Sequence, residues 1–344
     1  MKSCENFYIL GCDDGDEGGI YRCGFSEKTG FSILGFTPLN GASYACFSQD
    51  GRFFYSTCRI NGEGGVAAFK VLADGDLKFL NMKETHGRSA CHVEVTPDGK
   101  VIFVANYVTG NFKAFKLRKD GGIGRNYYEI EHEGSGPNKQ RQECAHVHMC
   151  QLTPDKKYLA VMDLGCDALL TYSMDENWKY KDISASIIIP EGSGPRHIVF
   201  KDDKTAYLVN ELLNTVMLLK FDAGDFEIKQ TLSTIPDDFT AFTKAAAIRL
   251  SPDGKYVYAS NRGHESIAIF KIGRGGKLTR TAIVPSKGVS PRDFNFLKDK
   301  KHLVMTNENT DNAIIYEWNA KDGGITPTKW ELHIKHPLNV VLLP

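Results

Sequence analysis

The sequence predicts an all-β protein, a seven-bladed β-propeller whose four-stranded antiparallel blades are closed by N- and C-terminal strands in one blade. Two observations support this prediction. A strand–turn–strand pattern repeats six times, and the two ends of the chain supply the parts of an incomplete seventh unit. A ring of this kind protects the strand edges of its sheets. We therefore expect residues 1–344 to form a single propeller domain. A two-domain β-sandwich is the alternative, but it would not require a constant period.

Each repeat contains two runs of β-branched and aromatic residues on either side of a turn rich in Asp, Gly and Pro, as in CHVEVTPDGKVIFVANY at 91–107. This is the pattern of a β-hairpin, and a further pair of strands follows in most units. The six turn aspartates are Asp50, Asp98, Asp155, Asp202, Asp253 and Asp299. Their mean spacing of about 50 residues is close to the length of a kelch-type blade, so 344 residues accommodate about seven blades.

The seventh unit is divided between the two ends of the chain. HPLNVVLL at 336–343 resembles a first strand without its turn, and NFYILGC at 6–12 can pair beside it. An unpaired sheet edge favours association with other chains, and pairing the two ends removes it. We expect these two segments to close the ring.

The composition excludes several classes of partner. Lys and Arg number 42 and Asp and Glu number 42, so no bulk charge attracts nucleic acid or an anionic membrane. The opening MKSCENFYIL contains an apolar stretch that is too short for a signal-peptide core, and no apolar stretch approaches the length of a membrane span. Nine Cys without a C-x-x-C pair favour reduced thiols. We expect a cytoplasmic monomer or weak homodimer without nucleic-acid or membrane partners.

The repeat also predicts the place of a functional site. The start of the first strand and the end of the second meet at one rim of a hairpin. Polar residues at the ends of the second strands include Asn106, Tyr107, Asp163, Asn210, Glu211, Asn261 and Arg262. Those at the starts of the first strands are Tyr44, His92, His148, Arg196 and Arg292. We expect them to meet at one mouth of the central channel, although an Asn near a strand end can also serve only to cap a turn.

Charged residues in this set favour an anion site. Arg196, Glu211, Arg262 and Arg292 would lie in the crowded centre of the ring, where charged side chains are rarely buried without a partner. Arginines bind phosphate or carboxylate with paired hydrogen bonds. The alternative is that these residues form inter-blade salt bridges.

The segment Cys144, His146, His148, Cys150 alternates strictly, which places all four side chains on one face of a strand. Two His at this spacing can hold a metal, but a structural zinc site usually draws on two separated ligand pairs. We expect a catalytic or substrate-binding His, with no metal and no cofactor. Neither a P-loop nor a G-x-S-x-G elbow is present.

Several motifs together resemble the seven-bladed propeller lactonase family, which includes propeller-type 6-phosphogluconolactonase and 3-carboxy-cis,cis-muconate cyclase. They are GSGPNKQRQECAHVHMCQLTPD at 134–155, VMDLGCD at 161–167, GSGPRHIVF at 192–200, YLVNEL at 207–212, YVYASNRGHESIAIF at 256–270 and SPRDFNF at 290–296. The resemblance implies a site with a His of the H-x-H pair, Arg196, Glu211 and Arg262. The first complete repeat departs from the pattern, because Cys58 and Arg59 stand where Asn-Glu is common.

The resemblance and the rim residues together predict hydrolysis of a sugar lactone, foremost 6-phosphogluconolactone to 6-phosphogluconate. The predicted catalytic residues are His148, His146, Glu211 and Arg196. The predicted substrate-binding residues are Arg262, Arg292, His92, Asn106, Tyr107, Asp163, His197 and Asn261. Because Arg stays protonated, we expect Glu211 and the nearer His to handle protons. A carboxy-muconate-type cyclase and a non-catalytic binding scaffold are the alternatives.

Overall fold

The runs of β-branched and aromatic residues between the Asp- and Gly-containing turns form strands throughout the computed structural model. It describes residues 5–13 and 15–344. This part of the chain forms seven four-stranded antiparallel sheets arranged as the blades of a propeller, which confirms the predicted fold class. Its helices are two single turns of 3-10 helix, Arg274–Gly276 and Glu308–Thr310, and neither could cross a membrane.

The strands are numbered in chain order and the blades from the first complete repeat. Blade 7 begins with β1 (Glu5–Gly11), β2 (Gly19–Ser26) and β3 (Gly30–Pro38). Blade 1 comprises β4 (Ala45–Phe47), β5 (Phe53–Ile60), β6 (Glu63–Val71) and β7 (Leu77–Glu84). Blade 2 comprises β8 (Ala90–Val95), β9 (Val101–Asn106), β10 (Asn111–Leu117) and β11 (Ile123–Glu131). Blade 3 comprises β12 (Val147–Leu152), β13 (Tyr158–Asp163), β14 (Ala168–Met174) and β15 (Tyr180–Ile188). Blade 4 comprises β16 (Pro195–Asp202), β17 (Thr205–Asn210), β18 (Thr215–Asp222) and β19 (Asp225–Ser233). Blade 5 comprises β20 (Lys244–Leu250), β21 (Tyr256–Arg262), β22 (Ser266–Ile272) and β23 (Leu278–Pro285). Blade 6 comprises β24 (Pro291–Phe296), β25 (His302–Asn307), β26 (Asn312–Trp318) and β27 (Ile325–His333). Blade 7 is completed by β28 (Pro337–Leu342).

The two ends of the chain share blade 7. Strand β28 pairs antiparallel with β1, with Phe7 opposite Leu342 and Ile9 opposite Val340. The predicted closure of the ring is therefore confirmed. The strands β4, β8, β12, β16, β20, β24 and β28 contact one another in succession around the central channel.

The predicted turns form at the rim opposite the candidate site. In four of them a Ser or Thr hydroxyl donates a hydrogen bond to the turn aspartate two residues later, over 2.7–2.8 Å. The four pairs are Ser48–Asp50, Thr96–Asp98, Thr153–Asp155 and Ser251–Asp253. Such local bonds fix the hairpin register, which in turn fixes the residues that reach the other rim.

The hydrophobic core is divided into seven clusters, each packed between two neighbouring blades. Four buried tyrosines reinforce these contacts by donating their hydroxyl protons to glycine carbonyls of the next blade. The pairs are Tyr8–Gly75, Tyr55–Gly121, Tyr207–Gly276 and Tyr258–Gly323, at 2.5–2.9 Å. A buried tyrosine needs such a partner, so these bonds fix the angle between blades.

Six channel-lining strands contain a register irregularity near their first residues, and in four of them the extra residue is a Cys, His or Arg. The ladder shifts register at Cys91 in β8, His148 in β12, Arg196 in β16 and Arg292 in β24. A β-bulge inserts one extra residue and redirects its side chain. These four side chains therefore depart from the regular alternation and face a common space at the channel mouth.

Candidate active site

Three arginines bind one buried carboxylate at the channel mouth. Glu211 follows the end of β17. Its Oε2 accepts a hydrogen bond from Nε of Arg196 at 2.9 Å and forms an ion pair with Nη2 of Arg262 at 2.8 Å. Its Oε1 accepts a bond from Nη2 of Arg141 at 2.6 Å. We call these four residues the Glu211 cluster. One carboxylate neutralises only one of three guanidinium charges, so the cluster keeps an excess of two positive charges.

The arginines determine the charge state of the carboxylate. Burial alone would raise the pKa of Glu211, but the positive charges of Arg262, Arg196 and Arg141 hold it well below its usual range. Both oxygens of this carboxylate already contact guanidinium groups, so neither is free to take a proton from a water molecule. The expectation that Glu211 handles protons therefore finds no support in its surroundings, which suit a residue that holds the arginines in place.

A narrow cavity lies beside the Glu211 cluster. Its lining includes the four bulged residues Cys91, His148, Arg196 and Arg292, together with His197. Its accessible volume is about 20 Å³, enough for roughly one water molecule. The bulges thus bring a histidine, a thiol and two guanidinium groups around a space of the size that a hydrolytic water needs.

His148 is suited to accept a proton in this cavity. Burial, followed by the positive charge of Arg196, lowers the pKa of His148 well below 6.5, so the imidazole is neutral at physiological pH. Its Nδ1 is buried and has no hydrogen-bond partner in the described part of the chain. A neutral imidazole nitrogen without a partner is available to a reacting water.

The channel wall beside His148 is aromatic. The His148 and His197 rings lie 5.1 Å apart, and the rings of Tyr44 and His92 lie 4.3 Å apart. His92 and His197 are separated by 6.2 Å. Burial lowers the pKa of His92 to about 3 and that of His197 well below its usual range. All three histidines are therefore neutral, and the arginines carry the positive charge of the mouth.

Comparison with known proteins agrees with this geometry. The sequence model of the seven-bladed β-propeller lactonases matches residues 6–342. The chain belongs to the lactonase family. A 6-phosphogluconolactonase of Bacillus subtilis is 36% identical over 310 residues, which cover 89% of this chain and 88% of that protein. The family expected from the sequence motifs is therefore confirmed.

Two solved structures extend the agreement to the whole ring. A Lactobacillus plantarum protein has a TM-score of 0.93 at 30% identity, covering 99% of this chain and 100% of that chain. A Bacteroides fragilis protein, provisionally named 6-phosphogluconolactonase, has a TM-score of 0.91 at 31% identity, covering 98% of both chains. The blade number and closure of this lactonase family member are thus shared with its relatives.

His146, the other histidine of the H-x-H pair, is not among the residues that line the cavity. The His146 ring stacks on Tyr107 at 4.4 Å, and its Nδ1 donates to the Tyr107 carbonyl at 2.8 Å. Its Nε2 lies 3.4 Å from Oε2 of Glu143. Of the two histidines, His148 is the one that lines the cavity together with Arg196 of the Glu211 cluster. Tyr107 reaches that cluster, because its hydroxyl accepts a bond from Arg141 at 3.1 Å.

One group of three metal-binding side chains occurs among residues 5–13 and 15–344. The ligand atoms of Glu143, Cys144 and His146 lie within 4.8 Å of one another. A structural zinc site needs a fourth protein ligand, which this short segment does not supply. Metal independence stays a prediction.

Three predicted substrate-binding residues take part in buried hydrogen-bond networks, and their role in binding stays a prediction. The side-chain oxygens of Asn106 and Asn261 accept bonds from Thr85 and Thr234, which follow the last strand of the preceding blade. Asp163 contacts Nδ1 of the His132 ring at 2.8 Å and accepts the backbone N–H of His146 at 2.8 Å. These contacts connect neighbouring blades and support the segment before β12.

Sequence reasoning missed Arg141 and Cys91. Arg141 lies in the linker between β11 and β12, outside the repeat used to find the site. The signal was the length of that linker, since long loops in compact folds often carry function. Cys91 stands seven residues before Asp98, the same offset that His148 and Arg292 have from their turn aspartates, but the sequence interpretation chose the adjacent polar residue His92.

A second buried carboxylate, that of Asp293, lines the same narrow cavity, as does Asn339. Both oxygens of Asp293 accept from Nη2 of Arg249, at 2.8 and 3.0 Å. Oδ2 also accepts from Nδ2 of Asn339 at 2.6 Å and from the N–H of Val340 at 3.1 Å. We call Asp293, Arg249 and Asn339 the Asp293 cluster. It joins blades 5, 6 and 7, and Asn339 reaches blade 1 by accepting the N–H of Ala45.

Proposed function

We propose that the protein hydrolyses a phosphorylated sugar lactone, foremost 6-phosphogluconolactone, to the corresponding acid. The observation that carries this proposal is the excess of two positive charges in the Glu211 cluster. A phosphate monoester carries a charge of about −1.5 to −2 near neutral pH, so it matches that excess better than a single carboxylate. The Bacillus subtilis relative, which bears the name of this activity, supports the same substrate.

His148 is the proposed general base. Its neutral imidazole takes a proton from a water molecule whose oxygen bonds to the lactone carbonyl carbon. The bond between that carbon and the ring oxygen then breaks, and the imidazolium returns the proton to the departing oxygen. The carboxylic acid formed loses its own proton to solvent, so each turnover releases one proton.

The arginines divide two tasks in this proposal. Arg196 and Arg292 line the same cavity as His148 and would stabilise the negative charge that develops on the carbonyl oxygen. Arg262 and Arg141 would bind the phosphate. Arg141 suits this role because 28% of its side chain is exposed, against 3% for Arg196. Glu211 is a positioning residue, since its carboxylate fixes three guanidinium groups.

A substrate panel tests the proposal. Proton release is measured with 6-phosphogluconolactone, unphosphorylated gluconolactone and a carboxylated lactone, after subtraction of spontaneous hydrolysis. We expect kcat/KM to be at least about tenfold higher for the phosphorylated lactone, because a charge-assisted hydrogen bond contributes about 1.5–3 kcal/mol. Equal values with and without phosphate would contradict the proposed substrate, and no turnover of any lactone would contradict the proposed activity.

A further inference from the structure

An aromatic side chain is exposed at the edge of the Glu211 cluster. Phe242 lies in the link between β19 and β20, and 76% of it is accessible to solvent. Exposed apolar surface that adjoins polar residues marks a ligand contact when several apolar side chains contribute to it, whereas a single exposed side chain is common. Phe242 is the most exposed large apolar residue on the links at this mouth.

The backbone holds Phe242 close to Arg262. Gly263, with φ of +97°, follows Arg262, and a Cβ at this position would lie 2.4 Å from the Phe242 carbonyl oxygen. The Thr243 hydroxyl donates to the carbonyl oxygen of Arg262 at 3.1 Å. Only glycine permits this close approach. Phe242 is therefore fixed beside a member of the Glu211 cluster by packed backbone.

Lys244 connects the aromatic ring with the cluster. Its Nζ lies over the Phe242 ring, 5.6 Å from the centroid, and Lys244 is paired with Arg262 in the β20–β21 register. Burial, followed by the positive charge of Arg262, lowers the pKa of Lys244. The ammonium group thus contacts one face of the ring and adds to the positive field of the mouth.

The neighbouring links extend the apolar edge. Leu213 follows Glu211 by two residues and is 51% exposed, and Val289 precedes Arg292 by three residues and is 44% exposed. This side of the mouth, on blades 4 to 6, combines exposed apolar surface with arginines. It is therefore suited to a ligand that has an apolar face and an anionic substituent.

We propose that Phe242 and Lys244 form a subsite for the ring of the substrate. The exposed face of Phe242 stacks on the C–H face of a sugar ring, and Lys244 joins Arg262 at the anionic substituent of that ring. This inference rests on the proposed function and deepens it, because it assigns the sugar ring to Phe242 and the phosphate to Lys244.

Binding measurements test the subsite without requiring turnover. Glucose 6-phosphate provides a phosphorylated ring that contains no lactone, and inorganic phosphate provides the anion alone. We expect Phe242→Ala to weaken glucose 6-phosphate binding about three- to tenfold, the usual contribution of an aromatic contact, without changing phosphate binding. Phe242→Tyr should restore binding, and Lys244→Gln should weaken both ligands. Phe79→Ala removes an exposed phenyl ring from the outer strand β7 and should change neither.

The kinetic readout separates this inference from the proposed function. With 6-phosphogluconolactone, Phe242→Ala should raise KM by the same factor and leave kcat unchanged. The inference would be overturned if Phe242→Ala bound glucose 6-phosphate as tightly as the wild-type protein does. It would also be overturned if Phe242→Ala weakened phosphate binding by the same factor, or if the wild-type protein bound neither probe. The expected binding pattern together with no lactone turnover would instead contradict only the proposed function.

Discussion

The two buried carboxylates of the channel, Glu211 and Asp293, differ in how far their charge is balanced by arginines. Asp293 is paired with one arginine and takes its remaining hydrogen bonds from the neutral donors Asn339 and Val340. Glu211 is paired with three arginines. A balanced pair meets the needs of folding, because a buried charge requires a partner. The unbalanced Glu211 cluster retains positive charge that only a further anion can neutralise. Both clusters border the same cavity, but we expect an anion to bind at the Glu211 cluster, where the positive charge is in excess.

The strongest test of the contrast is at His148, which adjoins the unbalanced cluster. His148→Ala should lower kcat for the best lactone by about 10²–10⁴-fold, the range for loss of a general base. His146→Ala, a matched control, should have a much smaller effect, because the His146 ring stacks on Tyr107 outside the cavity lining. Steady-state kinetics measure both variants, and circular dichroism verifies that they fold. A larger loss of kcat in His146→Ala than in His148→Ala would exclude His148 as the general base.

Removing the single arginine of the balanced cluster should affect stability. Arg249→Met leaves Asp293 buried without a cation, so we expect the free energy of unfolding to fall by about 3–5 kcal/mol. KM should change less than twofold below the melting temperature. Chemical denaturation and kinetics on the same preparation measure both quantities. If Arg249→Met raised KM strongly with unchanged stability, the distinction between the clusters would fail.

The same substitution in the unbalanced cluster should affect binding. Arg262→Met leaves Glu211 paired with Arg196 and Arg141, so stability should change less than in Arg249→Met. KM for the phosphorylated lactone should rise about 10–100-fold, as expected for loss of a charge-assisted hydrogen bond. Unphosphorylated lactone serves as the control substrate. Equal increases for both substrates would place Arg262 away from the phosphate.

The histidines beside the cluster predict an unusual pH dependence. Burial lowers the pKa of His148 below 6.5, so the neutral base persists below that pH and the acid limb of kcat/KM should begin below pH 6.5. Because the folded pKa is depressed, the histidine contributes full stability above the unfolded value of about 6.5 and loses it as pH falls towards the folded pKa. An acid limb at or above pH 6.5 would contradict a buried neutral base.

The smallest expected effect is that of metal removal. If arginines supply all the positive charge at the mouth, a chelator should leave kcat and KM unchanged. Proton release before and after dialysis against chelator measures this. Loss of activity that one divalent metal restores would show that the arginines of the Glu211 cluster are insufficient, and it would direct attention to Glu143, Cys144 and His146.

The sequence was sufficient for the fold because each hairpin carries a local signal. The aspartates lie in the hairpin turns that the repeat predicted, and the terminal strands pair as expected from the incomplete unit. Arg196, Glu211 and Arg262 could be found because they stand at fixed offsets from those turns. Their contacts follow from strand register, which the turn geometry determines.

The remaining site features depend on contacts that no local pattern encodes. Arg141 reaches Glu211 from a linker whose path is set by packing between blades. The bulge at Cys91 changes which residue faces the cavity, and one residue is enough to exchange two adjacent side chains. The side-chain oxygens of Asn106 and Asn261 accept bonds from Thr85 and Thr234 of the preceding blade, while the amide nitrogen of Asn106 has no partner in the described part of the chain. A polar residue at a predicted rim is thus an incomplete indication, because its partners come from another blade.

The pairing of β28 with β1 sets an order of assembly during synthesis. The Glu211 cluster needs no residue beyond Arg262, so it can form once blade 5 has left the ribosome. The Asp293 cluster waits for Asn339 and Val340 on the last strand. Until then the edge of β1 that pairs with β28 lacks its partner, and such edges recruit other chains. A nascent chain that stalls before residue 337 would therefore already hold the arginines of its site while remaining prone to aggregation.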